Sequence, residues 1–325
     1  MITLDKIKLV APIKYIEITD KNRFEVHYKE DVEISYRFTQ TQPCLLYVEA
    51  NVRNKELIIE FTGKILKDDY PKLINQSNIR HCLSNISDMG FCQLDVEGIL
   101  TEGEVVKADI TQDIPYPNCK ELTKAIQAHI VNFSKYQARI IHGNFIVEKN
   151  VATKNCKRRL TIYDKEKELN RAENREFLST LSDKEGLLNY FKGKIRFEMN
   201  LNSKEQIRKT LHISHLSLQA VLGVDTHPIW EFINKIIADT SPIGHAPKNY
   251  NELLRGALLQ VCDYDMEQVE AKLRLHCSPK THITQLLKPY RQLLEKMKYT
   301  PSINLKQTLR TLLLEVIILF AVVAI

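Results

Sequence analysis

At 325 residues the chain is long enough for about two domains with full hydrophobic cores, which excludes a small scaffold stapled by disulfides or metal. Its 46 basic and 40 acidic residues leave a net charge of +6, too little for a histone-like polycation, so any nucleic-acid contact rests on where the charge lies. Seven cysteines, an odd number with no CxxC spacing, exclude a disulfide framework and read as reduced, mostly buried thiols of a cytoplasmic protein; the N-terminus carries no secretory signal.

The first hundred residues read as strand-rich. Residues 7–18 alternate loosely, and 44–52 followed by 56–62 have a hairpin's profile with Arg53, Asn54 and Lys55 as the turn. Residues 66–86 read as helical, with Pro71 restricting where the helix begins. Residues 94–100 alternate Leu94 and Val96 against Asp95 and Glu97, a strand pattern. In 104–113, Lys107, Asp109, Thr111 and Asp113 share one face of a strand.

Pro115 and Pro117 mark a turn, and 121–134 reads as a helix with Leu122, Ile126 and Ile130 on one stripe. Residues 138–147 return to strand character and pair, across the basic loop 154–157, with the strand that holds Leu160, Ile162 and Tyr163. A charged helix follows from Asp164, and then an alternating segment, 193–201, with Ile195, Phe197 and Met199 inward and Lys194, Arg196, Glu198 and Asn200 on the opposite face. The fold class expected is α+β: an antiparallel sheet with helices on one face, followed by a helical C-terminal region. The division expected is 1–215 for the α+β domain and 216–325 for a helical, basic, DNA-binding or accessory region.

Helices are expected from Ser203, from Ser214 or Ser217 to Gly223, and over 228–239, 251–261, 266–277 and 281–298, with Pro289 kinking or splitting the last. Residues 272–310 hold nine Lys or Arg against one acid, Glu295. Lys288, Arg291, Lys296 and Lys298 are therefore candidates for phosphate contacts, as are Lys157 and Arg158 in the basic loop. No helix-turn-helix signature stands out. The apolar end, Leu312–Ile325, is interrupted by Glu315 and is shorter than the roughly 20 residues a span requires, so no stable membrane span is expected. A buried terminal helix is its first reading, a membrane-touching tail its second and a disordered end its third.

Chemistry concentrates on three of these strands. Tyr163 and Lys165 are expected on one face, where an ammonium beside a phenol favours phenolate and can neutralise a phosphate. Taken alone, the same stretch also reads as an aromatic strand residue before a solvated helix. Asp109 and Glu198, on two further strands, offer acidic oxygens suited to Mg2+ or Mn2+. There is no His-hydrophobe-His metal motif, and no GxxxxGK[ST] loop for nucleotide-driven helicase chemistry.

The ordered segments VVKADIT with a following Asp (105–113), RRLTIYDKEKEL (158–169) and GKIRFEMNL (193–201) resemble the replication initiators of the filamentous-phage gene II (gene II/X) family and related phage and plasmid rolling-circle initiators. Residues 57–66, LIIEFTGKIL, are similar to that family's strand leading into its first helix. The resemblance spans roughly residues 45–215 and implies an RNA-recognition-motif-like core. It further implies that Tyr163 attacks an origin phosphodiester, leaving a 5′-phosphotyrosine link and a free 3′-OH primer. Asp109 and Glu198 would hold one divalent cation, with Asp113 a third oxygen ligand or a neighbour of the site. Lys165 would stabilise the tyrosyl oxygen or the phosphate, and Arg196 would clamp a phosphate or orient Glu198. Expected partners are single- and double-stranded origin DNA, a host helicase and a host DNA polymerase, in the cytoplasm of a bacterial host. Two alternatives stay open: a non-catalytic origin-binding protein, and a mobilisation relaxase.

Overall fold

The computed structural model describes residues 2–40, 42–130, 136–149, 159–237, 249–262, 264–278, 282–298 and 305–314. The chain forms two compact units, one from Met1–Cys119, Asn132–Ile236 and Leu312–Ile325, the other from Lys120–Val131 and Ile237–Thr311.

The first unit is built on a ten-stranded sheet. Its strands are β1 (Leu4–Pro12), β3 (Phe24–Lys29), β4 (Val32–Phe38), β5 (Leu45–Asn51), β6 (Glu56–Thr62), β8 (Glu104–Pro115), β9 (Tyr136–Ile141), β10 (Asn144–Lys149), β11 (Arg159–Asp164) and β12 (Lys194–Leu201). They lie in the order β3-β4-β5-β6-β1-β8-β12-β11-β10-β9, every pair antiparallel. The architecture is the α+β class expected. A separate pair joins β2 (Ile16–Ile18) to β7 (Cys92–Leu94).

Alternation decides the two faces. Ile7, Leu9, Leu57, Ile59, Phe61, Ala108, Ile110, Ile162, Ile195, Phe197 and Met199 are all buried on one face. Polar groups occupy the other, because alternate residues of a strand point to opposite sides. The α-helices α2 (Val96–Glu102), α7 (Lys204–Leu211), α8 (Leu218–Leu222) and α9 (Pro228–Ile236) contact β1, β8 and β12. Ser203 and Ser217 cap α7 and α8 by accepting bonds from the backbone N–H of Gln206 and Ala220. A second small core joins a 3-10 run, Gly63–Lys72, to α4 (Lys165–Leu169), α5 (Arg175–Ser179) and α6 (Lys184–Phe191) through Tyr70, Leu169, Phe177, Leu187 and Phe191.

The hairpin of β5 and β6 falls where the sequence predicts it. Three other expectations change. The single helix expected over 66–86 is two pieces, the 3-10 run, broken at Lys67 (φ 52°), and α1 (Ile79–Ser87). The strand expected over 94–100 is the end of β7 followed by α2. Asp95 caps that helix by accepting from the Gly98 N–H at 2.9 Å, and a Cβ on Gly98 would collide with the Tyr15 ring. Residues 138–147 are two strands, because His142 and Gly143 both take positive φ (49° and 80°), the mark of a tight primed hairpin turn.

The second unit contains α3 (Cys119–His129, from Lys120), α10 (Tyr250–Val261), α11 (Met266–His276) and α12 (Ile283–Lys298). Leu259, Cys262, Val269, Leu287 and Leu293 form the core of α10–α12. Pro289 lies inside α12 without dividing it. A last helix, α13 (Leu305–Leu314), buries Leu305, Leu309 and Leu313 at i, i+4 and i+8. Of the apolar tail, residues 315–325 lie outside the described residues, as does Cys156. Among the described residues no cysteine is in a disulfide, and no helix is long and apolar enough to cross a membrane.

Candidate active site on the polar face of the sheet

Register places the chemistry. Directly opposed residues of antiparallel strands share a face, so β1, β8, β12 and β11 carry three polar rows. Lys6, Asp109, Asn200 and Arg159 form the first, Thr111, Glu198 and Thr161 the second, and Asp113, Arg196 and Tyr163 the third. Tyr163 is 7% exposed, and its hydroxyl donates diagonally to Glu198 Oε2 at 2.9 Å. Asn200 Nδ2 donates to the other oxygen, Oε1, at 3.0 Å. Asp109, one row away, accepts from the Lys6 ammonium at 2.8 Å.

These groups perturb one another. Burial pushes the Glu198 carboxyl above its ordinary range, and the negative charges of Asp5 and Asp109 push it further; the bonds from Asn200 and Tyr163 oppose this only in part. Burial likewise raises Asp109, against the pull of Lys6 and a bond from Asn200. The Tyr163 phenol is held well above its usual value, by burial first and by Glu198 second, with Arg196 acting in the opposite direction. Lys6 keeps its proton more tightly than usual: burial disfavours the charge, but Asp109, Glu60 and Glu198 outweigh it.

Arg196 sits apart from where the sequence reading expected it. It is fully buried and bonds neither a surface anion nor Glu198. Its Nε and Nη2 fork onto Asp113 at 2.7 Å each, and Nη1 reaches Asp5 at 2.6 Å and the Tyr70 hydroxyl at 2.8 Å. Asp113 thus spends both oxygens on Arg196. Lys165 is also displaced from the expected role beside the tyrosyl oxygen. Asp164 ends β11 and caps α4, so Lys165 begins a helix and does not continue the strand. Its buried ammonium meets Glu168 at 2.5 Å and lies 5.9 Å from the centroid of the Tyr163 ring. Burial and the Arg196 charge lower its proton affinity.

Four contributors escaped the sequence reading: Asp5, Lys6, Tyr70 and Glu168. The signal for the first two is visible afterwards. Two consecutive polar residues between Leu4 and Ile7 break the alternation, and β1 carries a bulge there. The bulge gives both neighbours access to the polar cluster, Lys6 to Asp109 and Asp5 to Arg196. Tyr70 has no such signal: it arrives from the 3-10 run and donates to Asp5 at 2.7 Å.

The donor set bears on a cation. Asp109 is buried and Glu198 half-buried, on adjacent strands; desolvation makes both reluctant to ionise, and the charge of Asp109 acts further on Glu198. Among the described residues no group of three or more His, Cys, Asp or Glu is arranged to hold a metal. Two carboxyls on adjacent strands are a donor set of the kind Mg2+ and Mn2+ use, since these ions bind through one or two carboxylates and complete their shell with water and substrate phosphate.

Of the expected DNA contacts, Lys157 and Arg158 lie outside the described residues. Lys288, Arg291 and Lys296 are exposed on α12 in the second unit, and Lys296 pairs with Glu252 at 3.3 Å. Lys298 is the last residue of α12, and its side chain lies outside the described part.

Residues 81–219 match the phage family described as the N-terminal part of the replication-associated gene II protein. No curated protein matches the chain significantly. The matched span carries Asp109, Asp113, Tyr163, Lys165, Arg196 and Glu198, whereas Asp5, Lys6 and Tyr70 precede it. Over this span, less than half of the chain, the match supports a phage replication initiator of the gene II type.

Proposed function

We propose that this protein initiates rolling-circle replication by nicking one strand of a phage origin, with Tyr163 as the nucleophile. The observation that carries the reading is the 2.9 Å bond from the Tyr163 hydroxyl to Glu198 beside Asp109, a nucleophile already oriented on a base. In the step, the Tyr163 oxygen bonds to the phosphorus, its proton passes to Glu198 Oε2, and the bond from phosphorus to the 3′ oxygen breaks. The products are a 5′-phosphotyrosine and, after the leaving oxygen takes up a proton, a 3′-OH. Phosphodiester energy is kept in the link, so strand closure needs no nucleotide hydrolysis.

Asp109, together with the Glu198 oxygen that does not receive the proton, would hold Mg2+ or Mn2+, which when bound supplies positive charge to the scissile phosphate. Lys6, paired with Asp109 at 2.8 Å, brings a protein cation to the same carboxyl. Arg196 acts by tying Asp113 on β8 and Asp5 on β1 to β12, and its charge favours the phenolate of Tyr163. Lys165 adds positive charge behind the ring. A host polymerase would extend the 3′-OH and a host helicase would unwind the duplex, in a bacterial cytoplasm. The exposed cations of α12 would hold duplex phosphates.

The test is incubation with supercoiled and single-stranded origin DNA and Mg2+ or Mn2+, followed by a denaturing gel. A protein–DNA adduct lost in Tyr163→Phe and in EDTA supports the reading. DNA binding without any adduct would replace it with a non-catalytic origin-binding role.

A further inference from the structure

In the unit that carries the tyrosine site lies a cavity of about 350 Å3 between the start of β5, the 3-10 run, α1 and α5. Two lysines line it, Lys64 and Lys67, against a single acid, Asp88. Both ammonium groups act on the Cys44 thiol in the wall, offsetting part of the upward push that burial gives it. Lys67 is exposed, makes no ion pair among the described residues, and sits at φ 52° and ψ −119°, a backbone strain that breaks the 3-10 run. Such strain gathers at ligand clamps. The rest of the wall joins an apolar side, from Pro43, Ile65, Met89 and Phe177, to the polar groups of Gln42, Asn85 and Thr180.

We propose that this cavity binds a nucleotide phosphate, with Lys64 and Lys67 on the phosphate and the apolar wall against the base. Two cations to one acid select an anion. The apolar wall gives a bare phosphate nothing to contact, whereas a nucleoside fills it. The volume lies at the lower end of small-ligand pockets, about 300–1,000 Å3, which suits one nucleotide and excludes a duplex. The occupant is either a free mononucleotide or one nucleotide of a DNA strand.

The site is connected to Tyr163. Lys64 Nζ donates to Asn174 Oδ1 at 2.8 Å, and Asn174 Nδ2 donates to the Glu168 backbone oxygen at 2.7 Å and to Glu168 Oε1 at 3.1 Å. Glu168 in turn holds Lys165, whose ammonium lies behind the Tyr163 ring. A phosphate that draws Lys64 off Asn174 therefore alters the support of Lys165. The binding claim itself does not depend on the nicking reading.

Calorimetric titration of the full chain with dTMP, thymidine and inorganic phosphate tests it. Saturable dTMP binding, tighter than phosphate or thymidine, is expected, weakened about tenfold or more in Lys67→Gln and in Lys64→Gln. Lys184→Gln, an exposed lysine on α6, is the control and leaves binding unchanged. Lys67 is exposed, so its variant keeps the fold even where Lys64→Gln loosens Asn174. Absence of dTMP binding up to about 10 mM, equal affinity for phosphate and dTMP, or binding unaffected by Lys67→Gln would overturn the proposal. Competition by a short oligothymidylate identifies a strand nucleotide as the occupant; dTMP binding without that competition identifies the free nucleotide.

Discussion

Arg196→Ala is the substitution with the largest consequence that the structure allows to be worked out. The guanidinium has no exposed surface and makes charged bonds to Asp113 and Asp5 together with the bond to Tyr70. It also lies over the rings of Tyr70 and Phe191, 5.3 and 5.5 Å from their centroids. Breaking a buried ion pair by deleting one partner costs about 3–5 kcal/mol, because the carboxylates left behind have no compensation. Arg196→Lys keeps the charge but cannot reproduce the fork onto Asp113 while also reaching Asp5, so it loses at least one charge-assisted bond, about 1.5–3 kcal/mol. Burial alone would raise Asp5, but Arg196 and Lys165 bring it below its ordinary value, a stabilisation present at neutral pH and lost as pH falls through the folded-state value. The deficit of Arg196→Ala is therefore largest near pH 7 and shrinks toward low pH. Urea denaturation followed by fluorescence of the single tryptophan, Trp230 on α9 in the same unit, measures it. A loss under about 1 kcal/mol at pH 7, or a deficit that grows on acidification, would refute the reasoning.

Three further outcomes are expected. Tyr163→Phe abolishes the covalent adduct while costing only about 1 kcal/mol of stability, since Asn200 still serves Glu198 and one hydrogen bond is lost; denaturant titration beside the gel assay checks both. Glu198 has a raised proton affinity in the folded state, so wild-type stability declines as pH rises through that folded value. Glu198→Gln removes the decline, so the melting temperatures of the two proteins should diverge in favour of the variant as pH rises above the ordinary carboxylate range, although adduct formation is lost. On α12, replacing Lys288 and Arg291 with Gln weakens duplex binding and lowers the log–log salt slope by about 2. Lys296→Gln has a smaller effect, because Glu252 already holds that ammonium. Filter binding across a salt series distinguishes them.

Several parts of the site are legible in the sequence because they rest on local period. Alternation in 104–113, 159–163 and 194–201 gives three strands and the polar face of each, and the three prove to be neighbours in one sheet. The capping serines 203 and 217 likewise mark α7 and α8. The reading fails where a local pattern is ambiguous or a turn supplies the decision. Alternation over 94–97 is too short to outvote a capping aspartate, and His142-Gly143 turns a single apparent strand into a hairpin.

The sequence by itself determined the strands that carry Tyr163, Glu198, Asp109 and Arg196, and their apolar and polar sides, since a side chain's face follows from a two-residue repeat. Which of these groups meet was decided only in three dimensions. Register made Tyr163 a diagonal neighbour of Glu198 and set Arg196 against Asp113, and a one-residue bulge in β1 brought Asp5 and Lys6 from 100 or more positions away. Partnership among buried charges depends on ångström-scale separation across strands, and no periodicity within a single strand encodes it.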